Sequence, residues 1–120
     1  MKLSKDKLTV FDETTGLTWQ QFGSSNRVTF ADAEKYVHDL NTKKFAGYSD
    51  WRLPTRDEAM SILLIQPINN FYCDPVFDCQ QWWIWTADKE SAGRAWYVDF
   101  SNGGCNPNDV GYDCYARAAL

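Results

Sequence analysis

The sequence predicts an α+β domain. Three observations carry this: a β-hairpin pattern opens the chain, two stretches of helical periodicity follow it, and runs rich in aromatic and β-branched residues come last. At 120 residues the chain is expected to form a single domain over 1–120, enough for one hydrophobic core.

In "LTVFDETTGLTWQQ", Leu8 and Val10 alternate with polar neighbours, as do Leu17 and Trp19 after the turn at Gly16, which reads as an N-terminal hairpin. From Thr29 onward, Phe30, Ala33, Val37 and Leu40 recur at helical spacing. Thr29 is placed to cap, and Asp32 and Glu34 stand where the helix dipole favours acids, so a helix over about 29–41 is predicted. A second helix opens at "TRDE", with Thr55 and Glu58 forming a capping box after Pro54. Ala59, Ile62 and Leu63 supply its buried stripe, and Pro67 is expected to end it.

"WWIWTADK" and "RAWYVDF" read as strands, the second with Trp96, Val98 and Phe100 on one face and Tyr97 and Asp99 on the other. "CYARAAL" is predicted to be the last strand, with Ala116, Ala118 and Leu120 inward. A long polar loop over 101–113 precedes it in this reading.

Charge narrows the range of partners. Residues 1–72 hold nine acids against nine Lys and Arg, whereas 73–120 hold seven acids against three, so the whole net charge of −4 sits in the later part. A phosphate-binding surface needs clustered cations, which disfavours nucleic acid as a partner. No apolar stretch is long enough for a membrane span, and the opening "MKLSKDKLTVFDE" lacks the apolar run of a signal peptide. Four cysteines in a short chain suit two disulfides and an extracellular or cell-surface setting; neighbour pairing, Cys73 with Cys79 and Cys105 with Cys114, is the simplest of three connectivities.

Asp12, Thr15-Gly16-Leu17 and Trp19, then "FADAEKYVHDLN", "FAGYSDWRLPTRDE", "WIWTAD", "AWYVDFSNGG" and "YARAAL", together resemble the family of the Legionella collagen-like protein (Lcl) C-terminal domain. "GYSDWRLPT" is the most specific stretch. The family usually closes on a Val-Arg-Cys-Val-Arg-like strand, from which "YARAAL" departs. The resemblance implies a C-type lectin-like fold related to formylglycine-generating enzymes, with paired termini, two flanking helices and a ligand surface beside the later strands. Gly103-Gly104, Cys105, Cys114 and "YARAA" are similar to the end of those enzymes, in which two thiols bind copper. A copper-dependent oxidase is therefore a third functional reading.

The remaining constellations divide between structure and recognition. In "SDWRLPTRDE", Trp51 and Leu53 are spaced to enter a core, Arg52 is expected to find a carboxylate or backbone carbonyls, and no nucleophile accompanies the acids. His38, the only histidine, falls off the apolar stripe of its helix. In "NPND" and beyond, Asn106, Asn108, Asp109 and Asp113 are candidate calcium ligands. No other cofactor is expected. An aromatic ring beside amides and carboxylates is what sugar recognition uses, the ring covering a C–H face and the polar groups taking hydroxyls. Trp82, Asn102, Asn106, Asn108, Asp109 and Tyr112 are the candidate ligand-binding residues. The sequence thus points to a non-enzymatic recognition domain for a glycan or protein ligand, of adhesion type. A structural or assembly subunit that binds other protein chains is the alternative.

Overall fold

The computed structural model describes all residues from Met1 to Leu120. Three small antiparallel sheets and two helices make up the fold, in the order β1 (Lys2–Leu3), β2 (Thr9–Asp12), β3 (Leu17–Gln20), α1 (Phe30–Thr42), α2 (Arg56–Ser61), β4 (Leu63–Ile68), β5 (Phe71–Cys73), β6 (Trp83–Ser91), β7 (Arg94–Asp99) and β8 (Gly104–Asp109). The sheets are β1-β2-β3, β4-β5 and β6-β7-β8, and the α+β expectation holds.

The hairpin β2–β3 forms as its pattern predicts, with Val10 opposite Trp19 and Asp12 opposite Leu17. Its turn is fixed by the Asp12 carboxylate, which accepts from the Thr14 N–H at 2.9 Å, and by Gly16 at φ 77°. The short strand β1 adds to it along β2. α1 begins at the Thr29 cap, whose hydroxyl accepts from the Asp32 N–H, and buries Phe30, Ala33, Val37 and Leu40 as expected.

Helix α2 is shorter than predicted. Its capping box forms, but it ends at Ser61 with Ile62 as C-cap, six residues before Pro67. The residues assigned to its second half make β4, which pairs with β5 through a two-residue turn. Asn69 and Asn70 there take φ of 51° and 70° between the Ile68–Phe71 pair. Tight hairpin turns of the primed type need positive φ at both central residues, which asparagine tolerates, and Pro67 is accommodated because the two-stranded sheet has open edges.

The expected loop over 101–113 is mostly strand. β8 pairs along its whole length with β7, from Gly104 opposite Asp99 to Asp109 opposite Arg94. Pro107 is compatible with this because β8 is the edge of its sheet. Only the turns on either side remain irregular; the first closes on Gly103 at φ 75°, whose N–H donates to the Asp99 carbonyl at 2.9 Å.

The C-terminal segment is extended but forms isolated bridges rather than a ladder, touching Trp19, Val28, Arg52 and Ile84 in turn. Thr18 and Leu120 exchange both backbone hydrogen bonds, at 2.7 and 2.8 Å, so the C-terminus pairs with β3 of the N-terminal sheet. The inward alternation expected here fails: Arg117 and Ala119 are as fully buried as Ala116 and Ala118, and Leu120 is half-buried. Neighbours cover the segment on both sides, which removes the period-two signal.

The β6-β7-β8 sheet lies between two apolar clusters. One contains the α1 stripe with Trp51, Leu53, Trp85, Ala95, Cys114, Ala116 and Ala118. The other contains Val10, Trp19, Ala59, Ile62, Cys73, Phe77, Ile84, Val98, Phe100 and Ala119. Both faces of this sheet are therefore occupied at its centre, and its side chains reach solvent only towards its edge.

Candidate recognition face on the β6-β7-β8 sheet

Register fixes which side chains share a face. Trp83 stands opposite Asp99 and Trp85 opposite Tyr97. Tyr97 in turn stands opposite Asn106, and Ala95 opposite Asn108. Because side chains alternate along a strand, Trp83, Trp85, Tyr97, Asp99, Asn106 and Asn108 project to one side, while Ile84, Val98, Cys105, Pro107 and Asp109 project to the other.

At the centre of the first face, Trp85 is fully buried. Its ring meets Phe30 edge-on at 5.7 Å, and its Nε1–H donates to the Val28 carbonyl at 2.8 Å. Towards the edge the face opens. Trp83 is half-buried and donates from Nε1 to the Asp113 carbonyl at 3.2 Å, with the Arg27 guanidinium 5.5 Å above its ring and Tyr115 5.1 Å to one side. Tyr97 is half-buried, and its phenol is shifted up by burial first and by the nearby Asp99 carboxylate second. Asn106 beside it is exposed. Asn108 is half-buried and directs its amide to the Cys114 sulfur at 3.8 Å.

Other predicted site residues have local tasks or lie elsewhere. Asn102 is exposed and its carbonyl oxygen accepts from the Gly104 N–H at 2.7 Å, shaping the β7–β8 turn. Asp109 does the same for the Gly111 N–H at 2.7 Å, and it lies on the face opposite Asn106 and Asn108. Asp113 is paired with Arg27 at 4.0 Å. The four expected calcium ligands are thus not gathered on one side of β8, and three or more His, Cys, Asp or Glu side chains cluster nowhere in metal-binding range. Tyr112 is 66% exposed in the turn after β8.

Trp82 immediately precedes β6, and its ring meets that of Trp83 edge-on at 3.7 Å. It packs with Phe71 and the second cluster, where it lines a concavity of about 520 Å³ together with Cys79, Asp78, Gln80 and Tyr115. Trp83 and Tyr97, on the same face as Asn106, were not among the predicted ligand-binding residues. The signal for them was the alternation of β7, which already separated Tyr97 and Asp99 from Val98. Without β8 recognised as a strand, that face had no neighbour.

The expected disulfides are not formed, and all four cysteines are free thiols. For Cys105 and Cys114 the reason is positional. Cys105 faces the second cluster from β8, whereas Cys114 is buried in the first, on the side that Asn108 reaches. The two lie on opposite sides of β8 and are not joined to each other. Cys73 and Cys79 are neighbours in space, and both sulfurs approach the Asp74 carbonyl oxygen, at 3.7 and 3.9 Å.

The largest concavity, about 640 Å³, runs between α1 and the 51–58 segment. Glu34 and His38 stand on one wall, and Arg52 and Glu58, already joined to each other, on the other. His38 is exposed there, as its place off the apolar stripe implied.

The elements therefore define a two-helix α+β domain whose central sheet presents a mixed aromatic and amide face at one edge. Residues 8–119 match the Lcl C-terminal domain, and the chain belongs to that family. No curated protein matches it.

Proposed function

We propose that this is a non-catalytic recognition domain whose ligand surface is the open edge of the β6-β7-β8 sheet, around Trp83, Tyr97 and Asn106, and that its ligand is a neutral glycan. One observation carries the reading: two half-buried aromatic rings and an exposed amide share one face of a hydrogen-bonded sheet, with Asp99 beside them and the Arg27 guanidinium over the Trp83 ring. Rings held by packing offer a flat apolar surface at little entropic cost, and the flanking amide and carboxylate orient hydroxyls. The pairing of the C-terminus with β3 and the flanking helices support a C-type lectin-like description of the fold. Since the candidate cation ligands are divided between two faces and existing partners, binding is expected not to depend on calcium.

The test is a glycan array with the intact chain, with calcium and with chelator, repeated with Asn106→Ala and with Asn102→Ala. Loss of signal for Asn106→Ala at unchanged melting temperature supports the assignment. Equal binding by wild type and Asn106→Ala removes this face from consideration.

A second reading, an assembly subunit, is favoured by a different surface. Ile65 in β4 is 97% exposed and Ile68 45%, on a hairpin with open edges. Unpaired apolar strands are sites where another chain can add. Light scattering separates the readings: a concentration-dependent oligomer lost with Ile65→Lys belongs to assembly.

A further inference from the structure

Three separate segments of the chain bring aromatic rings to one concavity of about 520 Å³. Phe71, Trp82 and Tyr115 line it, and Asp78, Cys79 and Gln80 complete its wall. All three aromatic residues are half-buried. Phe71 and Trp82 stand 6.5 Å apart and tilted by 48°; Trp82 continues through Trp83, at 3.7 Å, to Tyr115, which lies 5.1 Å from Trp83. The rings are inclined to one another rather than stacked flat, so their surfaces border a hollow instead of closing on each other.

Backbone hydrogen bonds hold each part in place, so little order has to be gained on binding. The Trp82 carbonyl accepts from the Phe100 N–H at 2.6 Å. Tyr115 donates to the Trp83 carbonyl at 2.9 Å and accepts from the Trp85 N–H at 3.0 Å, and Phe71 pairs with Ile68 across the β4–β5 turn. The Asp78 N–H donates to the Gln21 carbonyl at 2.9 Å, and the Asp78 carbonyl accepts from Arg117 at 2.7 Å. One oxygen of its carboxylate accepts from the Gln80 N–H at 3.1 Å, and the other has no partner in the chain. Arg117 itself is completely buried and does not line the concavity, so the wall carries one formal charge, the negative charge of Asp78.

Aromatic faces are negative and attract cations. This cluster already holds one, since the Arg27 guanidinium lies 5.5 Å from the Trp83 ring centre, outside the concavity. A primary ammonium entering the hollow would give up N–H bonds to water, and three rings with one carboxylate offer few acceptors in return. A quaternary ammonium has no N–H to lose and turns methyl groups to the rings. We infer that the concavity is an aromatic cage for a trimethylammonium group, with Phe71, Trp82 and Tyr115 against its methyls and Asp78 balancing its charge. The cage is separate from the glycan face proposed above, because neither Tyr97 nor Asn106 lines it.

Isothermal titration of the intact chain with choline tests this, against the uncharged isostere in which a tert-butyl group replaces the trimethylammonium. The isostere should bind about tenfold more weakly, as loss of the cation–π attraction requires. Equal affinity for the two, or binding of neither, overturns the cage. A trimethyl-lysine amide run in parallel tells a methylated side chain from a free small molecule by which cation binds tighter. Choline should slow alkylation of Cys79, which lines the concavity, and leave that of the half-buried Cys105 unchanged; no protection of Cys79 overturns the location. Trp82→Ala should abolish binding. Because Trp82 also packs on the second cluster, Asp78→Asn is the variant that keeps the fold, retaining an acceptor for the Gln80 N–H. It should weaken choline about tenfold, and unchanged affinity at unchanged melting temperature overturns the role of the carboxylate. Asn106→Ala should bind choline as the wild type does, so failure of the glycan reading leaves this result standing.

Discussion

Arg52 grips Glu58 with both prongs of its guanidinium, Nη1 to Oε1 at 2.6 Å and Nη2 to Oε2 at 2.8 Å. The same Glu58 Oε1 accepts from the Thr55 N–H at 2.8 Å, and the Thr55 hydroxyl accepts from the Glu58 N–H at 3.1 Å. One carboxylate thus completes the α2 capping box and anchors the segment that joins α2 to the C-terminal strand, since Arg52 and Ala119 exchange backbone hydrogen bonds at 3.0 and 2.9 Å.

This arrangement predicts a specific acid response. The hydrogen bond from Arg52 is the largest of the effects that lower the Glu58 carboxyl from 4.5 to about 2. A carboxyl lowered on folding contributes stability that is complete above its unfolded value and disappears as pH falls through the folded one, here between 4.5 and about 2. The pair is half open to water, so salt should weaken the effect. Chemical denaturation of wild type and Glu58→Gln across that window is expected to show a flatter acid limb for the variant. Parallel limbs would mean that Glu58 is not the responsible group.

Arg117 has the opposite character: it is inaccessible to solvent and ties Gln21, Phe22, Asp78 and Gln81 to the C-terminal strand. Arg117→Ala strands the Phe22 and Asp78 carbonyls and the Gln81 amide oxygen, leaves the Gln21 carbonyl with only the Asp78 N–H, and opens a void over the Phe77 ring. A loss of about 3–5 kcal/mol is expected from breaking a buried charged network on one side. Arg117→Lys keeps the charge but not the fork that spans three carbonyls and an amide, so it should recover only part of that loss. Urea unfolding of the two variants checks the order, and equal stability of Arg117→Lys and wild type would refute the geometric role.

How much of this was legible depended on whether one local rule sufficed. The hairpin, the Thr29 cap and the Thr55–Glu58 box were readable because each is specified within a few residues. β8 was not, since Gly-Cys-Asn-Pro-Asn-Asp has the composition of a turn and becomes a strand only by pairing with β7. The burial of Arg117 was equally hidden: an arginine between alanines reads as surface, and the carbonyls that receive it come from distant points of the chain. The candidate face followed the same division. Tyr97 and Asp99 were assigned to one side of β7 correctly, but Trp82 was preferred to Trp83 because their alternation had no register to anchor it.

Trp51 offers a test of the first apolar cluster. Its backbone N–H donates to the Asn41 side-chain oxygen at 2.7 Å, its carbonyl accepts from the Asn41 amide at 2.8 Å, and its indole donates to the Phe45 carbonyl at 3.0 Å. Asn41 thereby docks the end of α1 onto the "GYSDWRLPT" segment. Trp51→Ala should cost about 3–5 kcal/mol through cavity formation, the Phe45 carbonyl keeping its bond from the Tyr48 N–H at 3.1 Å. Asn41→Ala should cost about 1–3 kcal/mol, because two buried backbone groups lose their partner. Thermal unfolding ranks them, and a smaller loss for Trp51→Ala than for Asn41→Ala would contradict the assignment of Trp51 to the core.

Two glycines separate packing from backbone freedom. A methyl group on Gly23 would collide with the Ala116 carbonyl oxygen and come within 2.9 Å of the Gln81 Cγ, whereas one on Gly93 would meet nothing within 4 Å. Gly23 lies where Ser24 and Ala116 bond, the Ser24 N–H donating to the Ala116 carbonyl at 2.8 Å and the Ala116 N–H to the Ser24 hydroxyl at 2.9 Å. Backbone would have to move to admit the methyl, and both bonds would lengthen. Gly23→Ala is therefore expected to destabilise by about 1–3 kcal/mol, as overpacking does. Gly93→Ala, in the β6–β7 turn, should stay within about 0.5 kcal/mol of wild type, as surface substitutions do. Amide hydrogen exchange sharpens the comparison: protection at Ser24 and Ala116 should fall in Gly23→Ala and be unchanged in Gly93→Ala. Equal stability of the two variants would show that the C-terminal strand does not pass as close to Gly23 as the structure places it.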